Sequence, residues 1–109
     1  SNNATSEKSI SVVPNPFAPI SSNKPYALIE YKLPFDNALI DCDIFYPNGN
    51  LAVSLIQSKF TSNSGTLNWN GRDSDNKVLP IGPYIVMIEA TDQDSGESEI
   101  LKAVIVLAQ

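Results

Sequence analysis

The chain has 109 residues, enough for one domain around one core. Apolar residues make up 42%, an ordinary globular share and too high for a disordered chain. A net charge of −5 with no histidine argues against nucleic acid as a partner, and no apolar run approaches the ~20 residues of a membrane span, so no membrane insertion is expected.

Residues 1–9, SNNATSEKS, are polar and without period, and they read as a disordered lead or linker, or partly a cloning remnant. Asn3-Ala4-Thr5 fits the glycosylation acceptor pattern, a tripeptide common by chance. No signal peptide is visible, so the expectation is either that this sequence lacks it or that this is an internal or C-terminal piece of a longer chain. The folded domain is expected over 10–109.

The short first strand is SISVV, stopped by Pro14, Pro16 and Pro19. YALIEYKL (26–33) alternates, with Ala27, Ile29, Tyr31 and Leu33 on one side, and ends at Pro34. ALIDCDIFY (38–46) alternates too, which turns Asp41 and Asp43 outward and Cys42 inward with Ile40 and Ile44. The single cysteine has flanking aspartates and no histidine partner, so it reads as a small buried apolar residue rather than a nucleophile. Pro47-Asn48-Gly49-Asn50 is a turn, and LAVSLIQ (51–57) returns as the fourth strand. A polar stretch around TSNSG precedes TLNW (66–69), with Leu67 and Trp69 in phase. YIVMIEATD (84–92) and SEILKAVIVLA (98–108) follow, separated by the turn Asp94-Ser95-Gly96. About seven short strands with turn signals between them predict an all-β chain, an antiparallel sandwich of about seven strands; a small barrel is the competing architecture.

The stretch WNGRDSDNKVLPIGPY (69–84) holds the only tryptophan, two nearby aspartates and several turn residues. A calcium loop of the EF-hand kind starting at Asp73 fails at position 5 (Lys77), position 6 (Val78) and position 12 (Tyr84). A looser cation site on Asp73 and Asp75 is the remaining metal candidate. Triads usually need a histidine or lysine base, zinc sites draw on histidine and clustered cysteine, and paired carboxylates for glycoside hydrolysis need a cleft. No catalytic residue, cofactor or metal is therefore expected, and the chain is read as no enzyme.

The turn reading gives every residue a backbone task. Gly71 follows Asn70 in the turn, Asp73 and Asp75 accept amides, Asn76 tolerates left-handed backbone, and Gly82-Pro83 sets the next strand. Trp69 is expected in the core with Leu67, Ile29 and Val86. Tyr84 is expected to anchor its strand by bonding its hydroxyl to backbone within 76–82. Asn15-Pro16-Phe17 matches a short ligand of endocytic adaptor domains; the structural alternative is a proline-braced turn that drops Phe17 into the end of the sandwich.

The ordered set Val-Val-Pro14-Asn15-Pro16-Phe17, Ile29-Glu-Tyr31-Lys-Leu33, Ile44-Phe-Tyr-Pro-Asn-Gly49, Trp69-Asn-Gly71-Arg-Asp73, Leu79-Pro-Ile-Gly82-Pro-Tyr84 and Lys102-Ala-Val-Ile-Val-Leu resembles the immunoglobulin-like domain of the flagellar hook-capping protein. The resemblance spans residues 12–108. It departs at Asn76, where the family usually has glycine, and at Pro83, where it usually has a β-branched residue. Pro83 suggests a strand that starts late or lies at an edge. Domains of this type look similar to the C-terminal sorting domains of the type IX secretion system in Bacteroidetes. The resemblance implies a non-catalytic, immunoglobulin-like C-terminal module of a secreted or cell-surface bacterial protein, acting as spacer, stabiliser or sorting domain. Its partners would be other domains of the parent protein or the secretion machinery. The alternative is an adhesive or carbohydrate-binding module that uses exposed aromatics such as Phe45 or Phe60.

Overall fold

Strands form wherever β-branched and aromatic residues recur with period two, and the turns fall on Pro, Asn, Asp and Gly. The computed structural model describes residues 7–109. These form β1 (Ser9–Val13), β2 (Ala27–Lys32), β3 (Ala38–Phe45), β4 (Leu51–Thr61), β5 (Ser64–Trp69), β6 (Gly82–Asp92) and β7 (Ser98–Leu107). Residues 1–6 of the expected lead lie outside the described residues. The Lys8 ammonium contacts the Glu99 carboxylate, and Ser9 opens β1, one residue before the expected domain start.

One sheet has the order β1-β2-β5 and the other β4-β3-β6-β7, all pairings antiparallel. Face to face they make an immunoglobulin-like antiparallel β-sandwich of seven strands. The inward residues of both sheets meet in one apolar core: Ile29, Ile40, Ile44, Val86, Ile88 and Ile105 have no exposed surface, and among the described residues no buried side chain is charged.

The consecutive strands β4 and β5 differ from expectation. β4 runs to Thr61 rather than Gln57, and β5 opens at Ser64. Gln57 and Ser58 together oppose Asp41, since Ile40 pairs Lys59 and Cys42 pairs Ile56. Ser58 takes a left-handed φ of 56°, and its amide donates to Asp41 Oδ1 at 2.8 Å. This bulge breaks the alternation, which hides the second half of the strand in the sequence.

Pro83 is the other difference. β6 starts early, at Gly82, and is an inner strand. Pairing with β3 ends at Phe45–Ile85, so at Pro83 only β7 lies alongside. Its β7 partner, Val106, directs both its N–H and its C=O to the Asn15–Phe17 segment. The Pro83–Val106 pair is therefore not hydrogen-bonded, and no ladder bond is lost by the missing N–H.

Candidate functional site

The 69–84 stretch folds into a small hairpin at the pole of the sandwich where β5 ends and β6 begins. Asn70 Oδ1 accepts the Arg72 amide at 3.0 Å, an Asx turn. Gly71 O accepts from Leu79 N at 3.0 Å, and Asp73 N donates to Lys77 O at 2.9 Å, so two short arms pair. Asp73 Oδ1 closes the tip by accepting the amides of Asp75 at 2.9 Å and Lys77 at 3.0 Å. Asn76 is left-handed with φ 64°, and its carbonyl accepts from Arg72 Nη1 at 3.0 Å. Asp75 is exposed. Asp73 and Asp75 are not joined by further acidic groups: among the described residues no three His, Cys, Asp or Glu side chains are grouped closely enough to hold a metal.

Trp69 is 1% exposed, and its indole N–H donates to Arg72 O at 3.1 Å, which ties the core to the hairpin. Tyr84 is 2% exposed. Its hydroxyl donates to Pro80 O at 2.6 Å, four residues upstream, which is the geometry of a tyrosine corner. The Tyr84 ring stands edge-on to Trp69 at 6.1 Å and tilted against Tyr46 at 5.4 Å. Burial, and then the neighbouring Tyr46 phenol, raise the Tyr84 pKa above its ordinary value, so the phenol is held neutral as a donor. Gly82 opens β6 with φ 137°.

The Asn15-Pro16-Phe17 segment comes to the same pole. Phe17 has no exposed surface, so it is part of the core and not free to serve as a peptide ligand. The Val13–Pro14 and Asn15–Pro16 peptides are both cis, and Pro16 is exposed. Asn15 works as an extra strand residue for β7: Nδ2 donates to Val104 O at 2.8 Å, and Oδ1 accepts from Val106 N at 3.0 Å. Phe17 continues that edge, donating to Val106 O and accepting from Ala108 N, each at 2.8 Å. Gly71 is where the two segments meet. It is left-handed with φ 77°, and a Cβ there would lie 2.9 Å from Pro19 Cγ. Segments more than fifty residues apart in the chain thus form one corner.

Phe45 is half-buried and Phe60 is 70% exposed. Phe60 pairs Leu39, six residues from Phe45 on β3, which places the two rings about 20 Å apart at the strand rise. They do not form one flat platform. Cys42 has no exposed surface, and burial pushes its thiol up to about 12, with Asp43 adding to the shift. It is an inert core residue.

The register also shows residues that strand-by-strand alternation did not single out. Leu51, Phe45, Ile85 and Val104 pair in sequence across all four strands, on the outer face of the four-stranded sheet. Leu51 and Val104 are more than half exposed. Each residue looks unremarkable in its own strand; only the pairings of three ladders reveal the row. Tyr46, at the end of β3, is the other addition, as the third ring of the corner.

No family model matches the sequence, and no curated protein matches it. Among solved structures, the chain is similar to one of PorZ, described as an essential bacterial surface component of the type-IX secretion system of human oral-microbiomic Porphyromonas gingivalis. The TM-score is 0.53 and the identity 19%, covering 92% of this chain and 11% of that one. The likeness is one of fold. The chain thus corresponds to a small part of the PorZ chain, and what PorZ does as a whole belongs to PorZ.

Proposed function

We infer that the chain is a non-catalytic immunoglobulin-like module of a secreted or cell-surface bacterial protein, of the kind found in the flagellar hook-capping protein. It serves as a spacer, stabiliser or sorting domain, and its partners are the remainder of its parent protein and the type IX machinery. One observation carries the reading. The polar atoms that chemistry would need, on Asn15, Asp73, Trp69 and Tyr84, are bonded to backbone within the corner. Groups used in this way fix a fold, with Asp73 engaged through one carboxylate oxygen. The fold likeness to a part of a type-IX surface component supports the setting.

The test is a fusion of residues 7–109 to the C-terminus of a periplasm-competent reporter in a bacterium with a type IX system. Export to the cell surface or medium is expected, and it should vanish in a strain lacking the system. Periplasmic retention of a folded fusion would contradict the sorting role. It would leave the spacer role to be judged by the stability of the parent protein with and without the domain. The carbohydrate reading has no comparable support, since Phe45 and Phe60, the rings it would use, do not share one platform.

A further inference from the structure

The sandwich has four edge strands, and three of them are guarded. The β7 edge is covered by Asn15 and Phe17. The β4 edge is interrupted by three register shifts and carries the left-handed Ser58 next to Lys59. β1 is short, sits between Lys8 and Pro14, and lies beside β7. The β5 edge, SGTLNW, has no charge, no proline and no bulge.

Its free groups follow from the phase of the ladder. Leu33 N donates to Asn63 O at 2.7 Å, so in this register Tyr31–Gly65, Ile29–Leu67 and Ala27–Trp69 are the hydrogen-bonded pairs. Ser64, Thr66 and Asn68 therefore aim their N–H and C=O groups away from β2, and all three are exposed; of these groups the Ser64 carbonyl accepts the Ser62 hydroxyl at 3.4 Å. The row is uncharged and lies at an open edge, a template for strand addition.

We propose that β5 is the contact through which two copies of this chain associate, antiparallel across a two-fold axis at Thr66. The strand is self-complementary in that register. Thr66 faces its own copy, Ser64 faces Asn68, and every outward amide and carbonyl of the three finds a partner. On the outer face Thr meets Thr and Ser meets Asn, pairs that hydrogen-bond across strands. On the inner face Leu67 lies opposite Gly65, a large residue against a small one. No like charges come together in that register. One strand pair is well short of a standard interface, so the dimer is weak and concentration-dependent. The inference goes beyond the secretion reading and does not depend on it.

The experiment is sedimentation velocity on the purified chain from low micromolar to about 1 mM, a range that reveals associations far weaker than an obligate dimer's. A monomer–dimer equilibrium is expected for wild type. Thr66→Lys places like charges face to face at the axis and should weaken association at least tenfold. Thr66→Pro removes only an outward N–H and should do the same, whereas Thr66→Val should keep the dimer. A melting temperature close to wild type shows that a variant is folded, and Thr66→Lys serves if Thr66→Pro is not. Amide exchange at Thr66 and Asn68 should slow as concentration rises. A monomer at every concentration overturns the proposal. So does a dimer that survives Thr66→Lys undiminished, which would move the contact to another surface such as the Leu51–Val104 row. Capture of an extended peptide by β5 without self-association would also overturn it.

Discussion

Tyr84, Asp73 and Cys42 show how a polar or reactive side chain is made structural. Asp73 caps a hairpin tip with one carboxylate oxygen, so Asp73→Ala leaves the amides of Asp75 and Lys77 without their acceptor. These amides are near solvent, and the expected loss is about 0.5–2 kcal/mol, typical of a lost cap, read as a shift in urea midpoint. Calcium at millimolar concentration should leave the melting temperature of the wild type in place. An upward shift would make the hairpin a cation site, because a ligand that prefers the native state stabilises it. Cys42 gives a pH signature. Its folded pKa is raised from the ordinary 9.0 to about 12, so the fold favours the protonated thiol. That contribution is complete below pH 9 and is lost as pH rises from 9 toward 12. Stability measured by urea titration should fall in that window, and Cys42→Ala should flatten the fall. An identical alkaline slope in the variant would show that the thiol is not the titrating group. Tyr84, also raised, contributes in the same direction.

At the scale of the elements, the alternating strands β2, β3, β6 and β7 were legible in the sequence. β2 and β3 show a period of two, β6 and β7 show apolar runs whose burial alternates in the fold, and Pro34, Pro47 and the Asp94-Ser95-Gly96 turn fall outside them. β4 was read too short because the two-residue bulge at Gln57–Ser58 reverses the phase, and local pattern carries no sign of a register shift made by a partner strand. Pro83 was misread for a related reason. A proline within an inner strand is compatible with the ladder only because β3 ends at Phe45, and that length is a property of the sheet. The anchoring of Tyr84 was visible from its place after Gly82-Pro83, whereas the Asn15 side chain acting on the β7 edge was not. Its partners are about ninety residues away. Asn15→Ala should cost about 1–3 kcal/mol, since it removes two side-chain-to-backbone bonds worth ~1 kcal/mol each and leaves Val104 O and Val106 N without them. Thermal and urea unfolding measure it, and an unchanged midpoint would show that water serves that edge equally well.

The whole molecule is asymmetric along the strands. The pole where β3 starts and β6 ends gathers Asp36, Asp92, Asp94, Glu97 and Glu99 on its loops and strand ends. The opposite pole exposes Val13, Ile81, Leu51, Val104 and Val106, and it holds the corner in which Asn15, Trp69, Asp73 and Tyr84 are bonded to backbone. The connections that cross between the sheets are clamped at this second pole. The claim that these polar groups hold a fold and perform no chemistry is tested most directly by the urea midpoint of Tyr84→Phe against wild type. The ring and its packing on Trp69 and Tyr46 are kept, and only the bond to Pro80 O is lost. The predicted result is a lower midpoint at an unchanged slope, equivalent to about 0.5–1.5 kcal/mol, with fusion export reduced only as far as stability is. An unchanged midpoint accompanied by altered export would contradict it, because the phenol would then be acting on a partner.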